Sequence, residues 1–346
     1  MWDFQHWPET SGVLDFLKTA RDSWGEIGST PYEVLEQAGS VTLRKYKTPA
    51  KGDERAQPIL ILPSLINRSF ILDLLPEKSL IRRFLDQGHD VYLVDWGIPL
   101  SHERYLSFEK LLTLHLDLFL KRIHLDCGGR KLHLVGHCLG GTLGLVVANL
   151  QPRNFLSLTL VTTPVRFQEN DKLSLWCRNP HFNIDAFIEA YGNVPWALLQ
   201  AAFLALKPTQ MLAKRRQLKA KGKDQNFLRN FWAMEIWSHD NVNFRGECFK
   251  ILLQDLYRMD SLVKGTLEID GRYIDLRRHK LPTFVLIAKS DHIVSEGSHL
   301  SPEMVPLTKD FVTVTAEGGH VGALLGGRSQ KLVWPELTEW MASCEV

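Results

Sequence analysis

Short apolar runs of strand length recur along the chain, separated by stretches with helical spacing. Ile59 to Leu62 and Val91 to Val94 are continuous apolar runs, the pattern of strands buried on both faces of a parallel sheet. Leu156 to Thr163, Thr283 to Ala288 and Phe311 to Thr315 read as further strands of the sheet, and Val41 to Tyr46 alternates as an edge strand would. Between them, Lys78 to Gln87 and Ser107 to Leu125 have helical periodicity, the second with Ser107 placed as N-cap. Strand and helix thus alternate four times before residue 164, which predicts a mostly parallel sheet with helices on both faces. Residues 1–40 read as an amphipathic helical lead-in carrying Val13, Leu14, Phe16, Leu17, Val34 and Leu35, and Lys47 to Gln57 as a charged loop.

The alternation breaks from Val165 to about Arg278, where the chain is aromatic-rich and mostly helical in pattern. A stretch that long between two sheet strands is most simply an inserted cap over the carboxyl edge of the sheet. The expected organisation is a lead-in (1–40), a core in two pieces (41–164 and 279–346) and a helical cap (165–278). Within the cap, Val194 to Leu206 is nearly all apolar, which fits cap core, an acyl channel or a surface facing apolar material.

One stretch combines the signals of strand, turn and helix. In Lys131-Leu-His-Leu-Val-Gly-His-Cys138-Leu-Gly-Gly-Thr-Leu-Gly-Leu-Val-Val an apolar run stops at a glycine and a helical pattern starts after a cysteine. Gly136-His-Cys138-Leu-Gly140 has the spacing of a nucleophile elbow, with sulfur in place of the commoner hydroxyl. A cysteine near its free pKa is mostly thiol at neutral pH, so it needs an imidazole to take the proton, and the imidazole needs an acid to fix its tautomer. Two later loops, each directly after a predicted strand, supply them: Lys289-Ser-Asp291-His-Ile-Val and Ala316-Glu-Gly-Gly-His320-Val-Gly. Nucleophile, acid and histidine in that order is the arrangement of the α/β-hydrolase fold. An oxyanion hole needs two backbone N–H groups, one expected from Leu139 and the second from Leu65, Ile66 or Asn67 after the Ile59 to Leu62 strand. His137 and His292 adjoin the candidate groups, but sequence neighbours on a strand or tight turn point apart, so both are accessory candidates only.

Composition narrows the picture. The chain has 346 residues with 45% hydrophobic and 23% charged, and its 41 basic and 39 acidic residues leave it near neutral. Nothing global points to nucleic acid. No apolar run reaches the ~18 residues of a membrane span, and the first residues lack a basic segment followed by an apolar one, so no signal peptide is expected. Five scattered cysteines without C-x-x-C pairs fit reduced thiols in a cytoplasm and no metal site. Lys207 to Lys223 holds seven cations and no acid; Lys214, Arg215 and Arg216 are candidates for binding coenzyme A phosphates, against the commoner role of a solvated helix face.

Taken together, Leu62-Pro-Ser-Leu-Ile-Asn67, Val94-Asp-Trp-Gly97, Gly136-His-Cys-Leu-Gly-Gly141, Thr162-Thr-Pro-Val165, Ser290-Asp-His-Ile-Val294 and Gly318-Gly-His-Val-Gly322 resemble the polyhydroxyalkanoate synthases. So do cap segments such as Trp237-Ser-His-Asp240 and Asp270-Gly-Arg-Tyr-Ile-Asp-Leu276. The chain lacks the long N-terminal domain of the single-subunit enzymes and is similar in length to the short catalytic subunits. The resemblance implies that Cys138 attacks a 3-hydroxyacyl-coenzyme A thioester, that no cofactor beyond this substrate is needed, and that a hydroxyl of the growing polyester accepts the acyl group. It further implies a second smaller subunit or a homodimer as partner, and a cytoplasmic location at polymer granules. Three positions depart from the family pattern: Ser64 replaces a bulky aromatic, Arg166 an acid, and His137 an apolar or tyrosine residue. Hydrolysis on the same scaffold, as a polyester depolymerase or acyl-CoA thioesterase, stays open at this point, as does an inactive granule-associated scaffold.

Overall fold

In the computed structural model, residues 24–50 and 56–345 are described. The lead-in residues Val13 to Leu17 and the middle of the 47–57 loop lie outside them. The main sheet is built from β1 (Glu33–Ala38), β2 (Val41–Tyr46), β3 (Ile59–Leu62), β4 (Val91–Asp95), β5 (Leu132–His137) and β6 (Phe155–Val161). A small ribbon, β7 (Glu268–Ile269) with β8 (Arg272–Tyr273), precedes the last two main strands, β9 (Thr283–Ala288) and β10 (Phe311–Ala316). The order across the sheet is β1-β2-β4-β3-β5-β6-β9-β10. β2 runs antiparallel to both its neighbours, and every pairing from β4 to β10 is parallel.

The continuous apolar runs are buried on both sides. Leu60 and Leu62 join a cluster with the helices Asp117–Cys127 and Leu139–Leu150, whereas Ile59 and Ile61 join a second cluster with Leu80–Asp86 and Gly327–Ser343. Ser79 and Ser107 cap their helices, accepting from Arg82 N–H and Lys110 N–H.

The start of the described chain departs from expectation. Val34 and Leu35 lie on a strand, not a helix, and β2 is covered by β1 and is therefore not the sheet edge. A two-residue turn, with Gly39 at φ 61°, folds β1 back on β2. The hairpin signal was the Gly-Ser pair just before the alternating β2. It was masked because β1 is largely exposed on both faces and carries no alternation of its own.

The 165–278 insertion is mostly helical but has two parts. Its second half, through the helix Gly246–Ile251 and its π-helical continuation Leu252–Arg258, places Cys248, Leu252, Leu253 and Leu256 in the same cluster as the sheet. Arg245, 1% exposed, ties this part down by donating to Ser40 Oγ (2.8 Å), the Trp96 carbonyl (2.8 Å) and Glu103 (3.3 Å). The first half joins that cluster through Val165, Phe167, Ile184 and Val194, but the apolar helix Trp196–Leu206 is not core. Trp196, Leu198 and Leu204 are about 40% exposed, and Leu206 is buried. The basic helix Gln210–Lys221 follows it.

Candidate active site

The turn between β5 and the Leu139–Leu150 helix has the strain of an elbow. Cys138 sits at φ 53°, ψ −130°, a conformation that costs a side-chain-bearing residue about 1–3 kcal/mol and persists only where its surroundings enforce it. The enforcement is visible: Cys138 N–H donates to the Val161 carbonyl (2.9 Å), and the Cys138 carbonyl accepts from Gly141 N–H (2.8 Å). A Cβ at Gly136 would lie 2.3 Å from Gly141 Cα, and one at Gly140 would lie 2.2 Å from the Leu62 and Pro63 carbonyl oxygens. Gly141 is equally constrained, since its Cβ would meet Thr163 Oγ1 at 2.0 Å.

Two loops at the carboxyl edge bring the partners. His320, after β10, is buried and donates from Nδ1 to Asp291 Oδ2 at 2.7 Å. Asp291, after β9, accepts at its other oxygen from the backbone N–H groups of Ile293 (2.8 Å) and Val294 (3.1 Å). Burial would raise the Asp291 pKa, but the bond and charge of His320 and the two N–H groups outweigh it and hold the carboxyl below its usual range. His320 is pushed up to about 10: burial opposes its charge, and the charge and hydrogen bond of the Cys138 sulfur, together with Asp291, overcome it. Imidazole and carboxylate are thus hydrogen-bonded, with the Cys138 sulfur within interaction reach of the imidazole, the arrangement in which an imidazole can take the proton of a nucleophilic thiol.

The other candidates fare differently. Leu139 opens the helix after Cys138, where first-turn N–H groups have no intrahelical acceptor. Ile66 is half-buried on the loop after β3, with its N–H 3.4 Å from Ser64 Oγ, and Leu65 is buried in the core. Asn67, expected for its backbone N–H, also has a task for its side chain. Its Nδ2 donates to Asn241 Oδ1 (2.6 Å), and the two residues form a single antiparallel bridge. Asn241 in turn donates to Gln200 Oε1 (2.7 Å) on the apolar helix. With Trp237 Nε1 donating to the Arg68 carbonyl (3.0 Å), this pins the loop after β3 to the cap.

Lys214 is paired with Glu235, so its charge is committed, while Arg215 and Arg216 are exposed. Of the basic run, Lys207 lies near enough to His292 that its charge, after burial, helps lower that residue's pKa. His137 does not point away from the site: its ring centroid is 5.6 Å from that of His320. Tyr257, which sequence reasoning missed, comes from the π-helical stretch of the insertion, packs edge-on to Phe167 (5.0 Å) and lies within electrostatic reach of Cys138. Burial drives its hydroxyl well above the usual range. π-helical turns concentrate at functional sites, but one inside an amphipathic helix leaves no period to read. Of the family departures, Ser64 is buried, and Arg166 is exposed with Glu169 at 3.9 Å.

Comparison with known proteins agrees with this geometry. Residues 57–326 match a family described as alpha/beta hydrolase fold, and residues 21–84 match one described as the poly-beta-hydroxybutyrate polymerase (PhaC) N-terminus, which takes in the β1–β2 hairpin. The chain is 30% identical over 346 residues to the poly(3-hydroxyalkanoate) polymerase subunit PhaC of Haloferax mediterranei, covering 98% of this chain and 70% of that one. It is 31% identical to the protein of the same name from Synechocystis, covering 95% and 89%. Among solved structures, a monoacylglycerol lipase of Paleococcus ferrophilus superposes with a TM-score of 0.53 at 18% identity, over 88% of this chain and 99% of that one, a likeness of fold alone. With an α/β-hydrolase sheet, a cysteine at its elbow and relatives matched over nearly the whole chain, the protein belongs to the poly(3-hydroxyalkanoate) polymerase PhaC family.

Proposed function

We propose that this chain is a catalytic subunit that polymerises 3-hydroxyacyl groups from coenzyme A thioesters, with Cys138 as nucleophile, His320 as acid and base, and Asp291 as its orienting carboxylate. The observation that carries the reading is the buried His320–Asp291 hydrogen bond beside the strained elbow of Cys138, whose sulfur lies within interaction reach of the imidazole. The Cys138 thiolate adds to the thioester carbonyl, and the oxyanion takes N–H donors from Leu139 and from Leu65 or Ile66. Collapse breaks the bond to the coenzyme A sulfur, which leaves with the His320 proton. A hydroxyl of the growing chain then attacks the acyl-cysteine, His320 takes its proton, and the ester is released from sulfur with the thiolate restored.

Exposed cations support a thioester with a phosphorylated carrier: Arg215 and Arg216 on the basic helix, and Lys207 beside His292. They would hold the carrier as charges do, in a salt-dependent way. The exposed apolar helix Trp196–Leu206, linked through Gln200 and Asn241 to the loop after β3, supports contact with an apolar polyester surface and thus a place at polymer granules in the cytoplasm. A smaller second subunit or a second copy of this chain belongs to the same proposal. Among the described residues, no helix is long and apolar enough to cross a membrane.

The test is incubation of the purified protein with 3-hydroxybutyryl-coenzyme A, alone and with a partner subunit, following coenzyme A release and product size. Polymer is the expected product. Free 3-hydroxybutyrate without oligomer would replace the proposal with hydrolysis, and no release under either condition would end it.

A further inference from the structure

His137 is the last residue of β5, and by strand alternation it shares a face with Val135, in the cluster beneath the last helices. It is 3% exposed, and neither ring nitrogen has a hydrogen-bond partner among the described residues. Leaving a buried polar group unpaired costs about 1–3 kcal/mol, so an aliphatic residue would fill this place more cheaply. The one polar neighbour in ring contact is His320, at a centroid separation of 5.6 Å and an interplanar angle of 47°.

We infer that His137 is a positioning residue for His320: its neutral aromatic ring, lying against the imidazole, favours the charged form of His320 over the neutral one and so steadies the imidazolium beside Asp291. A ring face within about 6 Å of a cation attracts it, the more so out of water. His137 must itself stay neutral for this, and it does: burial and the adjacent His320 charge push it down to about 3. The other groups around His320 are Cys138 from the elbow, Asp291 and His292 from the loop after β9, and His299 from the segment that follows. Among these, Asp291 brings the opposite charge. His299 is neutral, its Nδ1–H donating to the Thr163 carbonyl (3.1 Å), and burial lowers His292. From the cap, Tyr257 faces Cys138 and Lys207 faces His292.

The inference rests on Cys138 and His320 acting as a pair, but not on which acyl group they transfer, and its test needs no substrate. Iodoacetate is anionic and alkylates a thiolate faster when an imidazolium stands beside it, whereas neutral iodoacetamide does not feel that charge. The ratio of the two rates at Cys138, followed by mass spectrometry across pH, therefore titrates His320. His137→Leu should move the alkaline midpoint of that ratio down by roughly half a pH unit or more, and His137→Phe, which keeps a ring, should move it by less than half as much. An unchanged midpoint in His137→Leu, or equal shifts in both variants, would overturn the inference. Label away from Cys138 would overturn the reading of the site, and this inference with it. Imidazole nitrogen NMR on the unmodified protein needs no variant: between pH 8 and 5 His137 should stay neutral while His320 stays charged, and protonation of both ring nitrogens of His137 in that range would count equally against the proposal.

Discussion

Lowering the pH from 7 to 5 should remove a large part of this protein's stability, and the cause would be histidines buried in neutral form, with carboxylates contributing little in that interval. His137, His279 and His299 are each 2–3% exposed. Burial pushes His137 down to about 3, and His279 and His299 to about 4. In the unfolded chain each titrates near 6.5. At pH 5 the unfolded state therefore binds a proton at each of these sites and the folded state does not. Stability present above the unfolded value is lost as the pH falls toward the folded one. One and a half pH units at 1.36 kcal/mol per unit gives about 2 kcal/mol for each histidine, or about 6 kcal/mol for the three. That rivals the whole stability of a typical domain, roughly 5–15 kcal/mol. His320 offsets less than about 1 kcal/mol of this, because a group with a raised pKa delivers nearly its full contribution already at pH 7, close to the unfolded value, and gains no more below it. The assay is urea unfolding at pH 7 and pH 5, with the denaturant slope held as a control for the surface exposed. A midpoint unchanged between the two, or a loss beginning only where carboxylates protonate, would refute the reasoning.

Gly140→Ala should cost about 1–3 kcal/mol or more, because its Cβ must displace backbone, whereas Gly144→Ala in the same helix, with no atom nearer than 3.8 Å, should be neutral or gain up to about 1 kcal/mol; thermal or urea midpoints of the pair decide it. Glu103→Ala leaves the Arg245 guanidinium buried without its counter-charge and should cost about 3–5 kcal/mol; a cost no larger than that of an exposed Glu→Ala would show that the clasp is idle. Asp291→Asn keeps the shape of the site but removes the acceptor of the His320 Nδ1–H, so single-turnover release of coenzyme A should slow by at least about a hundredfold. The same variant should move the alkaline limb of the rate profile to lower pH, since His320 loses one of the groups that raises its pKa.

The sequence alone determined the parallel part of the sheet and the three candidate residues at its carboxyl edge. Strands buried on both faces must be apolar throughout, and an elbow in close contact with its neighbours admits only glycine at Gly136 and Gly140, so both leave unmistakable local patterns. Asp291 and His320 were legible because each follows a strand whose end fixes where the loop emerges.

Tertiary structure alone decided the rest. The exposure of Trp196 to Leu206 could not be read from its composition, because an apolar helix looks the same whether or not something covers it. The engagement of Asn67 by Asn241, and of Lys214 by Glu235, depends on partners brought close only by folding. His137 shows the limit most plainly. Alternation correctly sent its side chain to the opposite face of the strand from that of its neighbours, yet the loop carrying His320 closes over that face, and local direction does not report what arrives there from 183 positions further along the chain.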